Sequence, residues 1–341
     1  MTLPIPRKPL PEGWRTRFHA GLSIVADALV RLTRLRFFLT AVIIATLIIA
    51  ANLGIAIAVS SAAHHEAFDW PGVGFTFVPL RNWQQIERKI QAIEGSPRLS
   101  RSLLGRVSYA QGSLPVHLLS FRPASTARRP LRVLLVSGMH GTETAGPEAL
   151  LQFAALLARE SSRYANVRLD IVPVANPWGW VYGYRYNGEG EDVNRDFSSR
   201  RTREAALLKS LMRRDGPFDL VMDLHESQRN SYFIYQYLPL DAGLGGDYVK
   251  IVGSLQRPVA TAYREWIFNV QGGILRTPSA ALFWIGLGRS MALDQYARLH
   301  GVRNSYTVET PVWDDFDTRV AVHLRTVQTF ISRLLADRAG K

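Results

Sequence analysis

The chain has no cysteine. That excludes a disulfide framework, a thiolate metal site and a cysteine nucleophile, so any metal must be held by histidine and carboxylate. Acidic side chains are scarce as well: 28 Asp and Glu stand against 41 Lys and Arg, a formal net charge of +13. A basic surplus favours anionic partners, but no nucleic-acid module signature accompanies it, and no nucleic-acid partner is expected. Charge of either sign is missing altogether from Phe37 to Val59. What remains, 341 residues at 47% hydrophobic content, can bury a sizeable core. There is no internal repeat.

The uncharged run is dominated by Ile, Leu, Val and Ala and is long enough to cross a bilayer, which takes about 20 residues. Residues 1–36 precede it as a basic segment. Within it Trp14, Phe18, Leu22, Val25, Leu29 and Leu32 recur at helical spacing, as in a helix lying on a membrane surface. Arg31, Arg34 and Arg36 flank the run on one side; the positive-inside rule then puts the N-terminus in the cytoplasm and the rest outside, periplasmic or extracellular. A cleavable signal is the competitor, with Ser61-Ala62-Ala63 as its small-residue site. The apolar run exceeds the usual h-region of about 7–15 residues, which favours an uncleaved single-pass anchor over 37–59 and a lipid-bilayer contact there. A short linker, 60–70, leads to one domain over 71–341.

That domain alternates strands with helices, the pattern of an α/β fold with a mostly parallel sheet covered on both faces. Val107 to Phe121 alternates like a hairpin or edge strands. Leu131 to Val136 and Val167 to Val174 read as buried strands, with a helix to about Arg159 between them. Asn176 to Gly190, rich in Gly and aromatics, reads as a long loop. Arg203 to Arg214 is a helix, Phe218 to Leu224 a strand, and Ser231 to Leu238 another. Ser279 to Leu287 is ambiguous between strand and helix. Met291 to His300 is helical, Ser305 to Val308 a strand, and Val320 to Ala336 an amphipathic helix.

Polar groups gather at the strand ends. His140 and Glu143 follow the strand at Leu131, with Gly141 allowing a tight bend between them. His225 ends the strand at Phe218, and Glu309 ends the one at Ser305. Parallel strand ends share one edge of a sheet, where open α/β sheets place their ligands. A lone His-x-x-Glu recurs by chance, and a locally hydrogen-bonded loop histidine competes with it. The convergence of two His and a Glu, leaving an open fourth position, is instead the pattern of a catalytic zinc site. Asp192-Val-Asn-Arg195, preceded by Arg185, adds guanidinium forks suited to carboxylates and oxyanions. The cluster Trp178, Trp180, Tyr182, Tyr184 and Tyr186 reads either as a cleft wall or as packing that stiffens the loop.

His140-x-x-Glu143, Asn176-Pro177-x-Gly179, Arg185, Asp192-x-Asn194-Arg195, Asp223-Leu-His225 and Thr307-Val-Glu309 stand in the order used by the zinc metallocarboxypeptidases, the funnelins. The chain resembles that family over about Leu131 to Thr310. It looks nearest to the compact bacterial branches, the murein-peptide amidases and the succinylglutamate desuccinylase/aspartoacylase group. The resemblance implies an α/β/α sandwich with a mixed, mostly parallel eight-stranded sheet, and one zinc ion held by His140, Glu143 and His225. It implies Glu309 as general base and Arg185 as the group polarising the scissile carbonyl. Asn194 and Arg195 would hold the substrate's terminal carboxylate, and Asp192 would hydrogen-bond His140. Thr142 stands where digestive-type members commonly have Arg, Trp178 where Asp is usual, and Asp196 where Asn is frequent. Tyr296 is a candidate for the family's substrate-closing tyrosine.

Three functions are therefore expected to compete. The first is a membrane-anchored metallocarboxypeptidase or amidase acting on extracytoplasmic, cell-wall-type peptides. The second is a zinc deacylase of N-acyl amino acids, and the third a catalytically inactive tethered binding protein. The substrate in either enzymatic case carries a free carboxylate.

Overall fold

A computed structural model of the chain describes residues 13–64, 77–93, 97–124, 129–198, 201–238, 243–265, 268–278 and 290–340. The Pro-rich start, the later part of the expected linker (65–70) and the ambiguous 279–287 stretch lie outside these. The chain divides into two compact units, Met1–Ile55 and Ala56–Lys341. The helix α1 (Trp14–His64) is one continuous 51-residue element where a surface helix and a membrane span were expected in succession. Its Leu22–Gly54 portion contains an 18-residue window of mean hydropathy 2.3, none of it buried, and is long and apolar enough to cross a membrane.

The second unit holds α2 (Gln84–Gln91), β1 (Leu99–Tyr109), β2 (Gly112–Phe121), β3 (Leu131–Ser137), α3 (Ala145–Arg159), β4 (Val167–Val172), α4 (Pro177–Tyr182), α5 (Arg203–Asp215), β5 (Leu220–Ser227), β6 (Phe233–Leu238), α6 (Leu244–Ser254), β7 (Ala262–Glu265), β8 (Phe268–Gln271), β9 (Ile274–Pro278), α7 (Leu293–Leu299), β10 (Asn304–Pro311) and α8 (Phe316–Ala339). The strands form one mixed sheet in the order β1-β2-β4-β3-β5-β10-β6-β9-β8-β7. Its centre, β4-β3-β5-β10, is parallel. The count is ten among the described residues rather than eight. The antiparallel β7–β8 ribbon adds two short strands beyond β9, and these four-residue segments lack the apolar run that marks a strand in sequence.

β3 shows why the sheet is covered on both faces. Val133 and Leu135 join one core with Leu150, Phe153 and Leu157 of α3, Tyr248 and Val252 of α6, and Phe330 and Ile331 of α8. Leu134 and Val136 point the other way, into a second core with Leu208, Leu211 and Met212 of α5 and Leu293 and Ala297 of α7. A strand buried on both sides reads as a continuous apolar run rather than an alternating one, and successive side chains divide between the layers. The α/β/α sandwich follows directly.

The stretch expected as a loop after Asn176 contains α4. Asn176 caps it, its Oδ1 accepting the Gly179 N–H at 2.8 Å, with Pro177 at the first helical position, where its missing N–H costs nothing. Gly183 ends the helix at φ +74°, a left-handed conformation that glycine takes without strain.

Candidate metal centre and active site

β3 and β5 are parallel neighbours, Val136 pairing with Asp223 and Ser137 with Leu224. Their carboxyl ends therefore deliver His140, on the loop after β3, and His225, near the end of β5, to one place. Glu143 bridges them. One carboxylate oxygen lies 2.7 Å from His140 Nδ1 and the other 2.8 Å from His225 Nδ1. One donor atom from each residue falls within 4.8 Å of the other two, and all three residues are buried. A buried carboxylate between two imidazoles offers the nitrogen and oxygen donors that a cation takes. The two rings aim the same nitrogen, Nδ1, at Glu143, so the residues present fit a bound cation.

Each ring is held from behind, as metal-binding histidines usually are. His140 Nε2 lies 3.1 Å from Asp192 Oδ1, and Arg185 grips the other Asp192 oxygen through Nη2 at 2.8 Å and Nε at 3.2 Å. His225 Nε2 has two neighbours: Asn194 Nδ2 at 3.1 Å in hydrogen-bond geometry, and Asp223 Oδ2 at 2.8 Å as a close ion pair. Asn194 Oδ1 accepts the Leu293 N–H at 3.0 Å, which anchors that carboxamide to the start of α7.

Charge pairing outweighs burial here. Burial would push the Glu143 carboxyl up, but the two histidines hold it far below the usual carboxylate range. Asp192 is likewise held well down against its burial by Arg185 and His140. His225, which burial alone would discharge, is raised well above an ordinary imidazole by Asp223 and Glu143. Glu143, Asp192 and His225 are thus perturbed by their neighbours at one point of the sheet edge, as groups at functional sites are.

Glu309 lies alongside. Its Cα pairs with that of His225 across the parallel β5–β10 ladder. Tyr306 and Val308 face the α3/α8 core, so by strand alternation Glu309 shares the opposite face with His225. It is half-buried, and its carbonyl accepts the Tyr248 hydroxyl at 2.9 Å. Arg185 Nη1 is 3.9 Å from Glu143 Oε1. Arg195 is half-buried next to the trio's supports, with Nη1 donating to Asn194 O at 3.1 Å.

Three sequence features resolve differently. Trp178 and Trp180 are buried, with Phe77 and Tyr109 packed edge-on against Trp178 and Trp83 against Trp180, so the cluster stiffens α4. Tyr296 faces the α5/α7 core, 5.9 Å from the Phe197 ring and 3.9 Å from that of His300, because α7 turns that side inward. As a core residue it cannot swing over a substrate. Asp196 is structural: its Oδ2 accepts the Thr202 N–H at 2.6 Å and hydroxyl at 2.9 Å, closing the loop onto α5.

Sequence reasoning missed Glu226. Adjacent to His225, it accepts the Ala145 N–H at 2.9 Å, stabilising the amino end of α3, and pairs with Arg319 of α8. Its partners are 81 and 93 residues away along the chain, so no local motif marks it.

Comparisons with known proteins agree with this geometry. Residues 130–241 match the succinylglutamate desuccinylase/aspartoacylase catalytic domain. Carboxypeptidase 2 of Trichophyton rubrum is 33% identical over 102 residues, covering 29% of this chain and 19% of that protein. The matching segment thus spans about a fifth of the curated relatives' length. A Shewanella baltica OS155 structure assigned as a metallopeptidase superposes with a TM-score of 0.62 at 21% identity, over 74% of this chain and 92% of that one. A metallo-carboxypeptidase from Burkholderia cenocepacia gives 0.57 at 17% identity, over 75% and 70%. The chain is therefore metallocarboxypeptidase-like in fold, and its central third carries the catalytic-domain pattern of succinylglutamate desuccinylase and aspartoacylase, as its ordered motifs imply.

Proposed function

We propose that this chain is a membrane-anchored, zinc-dependent metallocarboxypeptidase or amidase that hydrolyses a C-terminal peptide or amide bond in extracytoplasmic peptides. The observation that carries the reading is the buried His140–Glu143–His225 trio with Glu309 beside it on the next strand. A nitrogen–nitrogen–oxygen donor set without thiolate suits zinc, which when bound would supply Lewis acidity toward the scissile carbonyl and acidify its water.

The chain's own groups do the rest. Glu309 accepts the proton of the attacking water and returns it to the leaving amine. Arg185, its guanidinium held by Asp192, presents its remaining N–H groups to the negative charge that develops on the carbonyl oxygen. Arg195 takes the substrate's free carboxylate in a charge-assisted pair. Asp192 and Asn194 keep the two imidazoles oriented. Anchorage rests on Leu22–Gly54 within α1, and the Arg-rich N-terminal flank supports a cytoplasmic N-terminus with residues 71–341 outside.

The match over residues 130–241 favours a second reading, a deacylase of N-acyl amino acids. Mass spectrometry of products from a panel of dipeptides, muropeptides and simple N-succinyl and N-acetyl amino acids separates the two. Release of C-terminal residues from peptides supports the first, whereas turnover confined to N-acyl amino acids establishes the second. No turnover with metal bound would leave a tethered binding protein.

A further inference from the structure

The loop that carries His140 and Glu143 is fastened from outside the motif. Gly141 sits between the two ligands, and both its peptide groups are held. Its N–H donates to Tyr184 O at 2.9 Å. Its carbonyl accepts from Arg81 Nη1, also at 2.9 Å. That same nitrogen donates to Trp180 O at 2.6 Å, and the Arg81 guanidinium lies over the Trp180 ring, 5.6 Å from its centroid. One cation therefore ties the metal loop to α4. The seat is tight: a Cβ on Gly141 would fall 1.8 Å from Gly179 C and 2.3 Å from Trp180 N.

Arg81 itself is placed by a short docked segment. The Leu80 and Arg81 N–H groups both donate to Val181 O, at 2.8 and 2.9 Å. Leu80 Cδ2 lies 2.5 Å from where a Cβ of Gly183 would stand, so that glycine makes room for it. Phe77 packs edge-on against Trp178, Tyr182 and Tyr184. The segment from Phe77 to Trp83 precedes the first strand and lies outside the motifs that resemble the family.

We infer that Arg81 is a positioning residue for the metal loop, and that the segment Phe77–Trp83 belongs to the active-site apparatus. The inference rests on the metal-centre reading above. Arg81 touches no ligand side chain; it acts by fixing the peptide between two of them. A guanidinium suits this task because it carries several fixed donors and a flat face for an indole.

The test uses the full chain in detergent micelles, with Co2+ as the probe and its visible absorption as the readout. R81A should weaken Co2+ binding at least about tenfold, in the range seen for supports of metal ligands, and should alter the absorption band. Leu80→Ala removes packing from the same segment but leaves the Gly141 carbonyl bonded. Leu80 is largely exposed, so Co2+ affinity should stay at the wild-type value. If R81A does not fold, R81K keeps the charge without the fork and should lose affinity about threefold or more. Wild-type affinity in the Arg81 variants, or an equal loss in Leu80→Ala, overturns the inference. Failure of the wild-type chain to bind Co2+ overturns the metal reading itself, and this inference with it.

Discussion

Glu309 and His225 are register partners on adjacent parallel strands, and they face the same side of the sheet. That relationship sets one at the other's side. His225 is committed through Nδ1 to Glu143 and through Nε2 to Asn194 and Asp223. Glu309 is half-buried, with its carbonyl taken by Tyr248. We propose a separation of roles, in which His225 holds a cation and Glu309 carries a proton.

The separation predicts opposite phenotypes. His140→Ala or His225→Ala should remove most bound metal from the purified chain, by metal analysis. Glu309→Gln should keep the metal and lose turnover by on the order of a hundredfold or more, as for loss of a general base. Metal loss in Glu309→Gln but not in His225→Ala would invert the roles.

Asn194 offers a second test. Both ends of its carboxamide are engaged, Nδ2 on His225 and Oδ1 on the Leu293 N–H. Asn194→Ala should therefore weaken metal affinity by about 10–100-fold, as removal of an outer partner does, whereas Arg195→Ala should leave it unchanged. Metal titration of both variants decides between them. Equal metal affinity in Asn194→Ala would return this residue to a purely substrate-facing role.

The legible parts of this structure are those with local cause. β3, β4 and β5 are apolar runs because both faces are buried, and the convergence of His140, His225 and Glu309 follows from parallel strand ends sharing an edge. α6 was not legible: Gly245, Gly246 and Gly253 break its pattern, and the helix exists because Leu244, Tyr248 and Val252 pack on the sheet. α2 has eight residues, too few for a periodic signal, and is held by Ile86 and Ile90. The roles of Arg81 and Glu226 depend on contacts between distant segments, which no spacing records.

A pH test addresses the domain away from the metal. Glu204 is buried, and its carboxylate accepts the Tyr109 hydroxyl at 2.5 Å and Asn187 Nδ2 at 3.3 Å. Burial raises its pKa above the ordinary 4.5, partly offset by the Tyr109 bond. An acid with a raised folded pKa binds more protons folded than unfolded, so stability falls as pH rises from near 4.5 through the folded value. Tyr109→Phe removes a donor that favours the ionised form. Its cost should be small at about pH 4 and grow to about 1.5–3 kcal/mol once Glu204 is ionised, the range for hydrogen bonds to charged groups. Unfolding midpoints of both chains between about pH 4 and 8 measure this. A pH-independent difference would assign the loss to ring packing against Trp178.

The last prediction concerns which end of a substrate is read. Arg195 follows Asn194, which braces His225, and lies three residues after Asp192, which braces His140. Its charge also helps hold the Asp192 carboxyl down, which places the guanidinium in the field of the site. A substrate carboxylate pairing with Arg195 would form two parallel charge-assisted bonds. Capping that carboxylate as an amide leaves the guanidinium without its partner, and an uncompensated charge in a dry site costs about 3–5 kcal/mol. Each 1.36 kcal/mol is about tenfold in rate, and Arg195 is half-buried rather than sealed, so the lower part of that range applies. A free-carboxylate peptide should be cleaved about a hundredfold faster than its amide. Arg195→Ala should erase most of that preference through KM while metal content stays constant. Equal kcat/KM on free and amidated ends would show that Arg195 captures no carboxylate, and cleavage of internal amide bonds would then be the better account of the site.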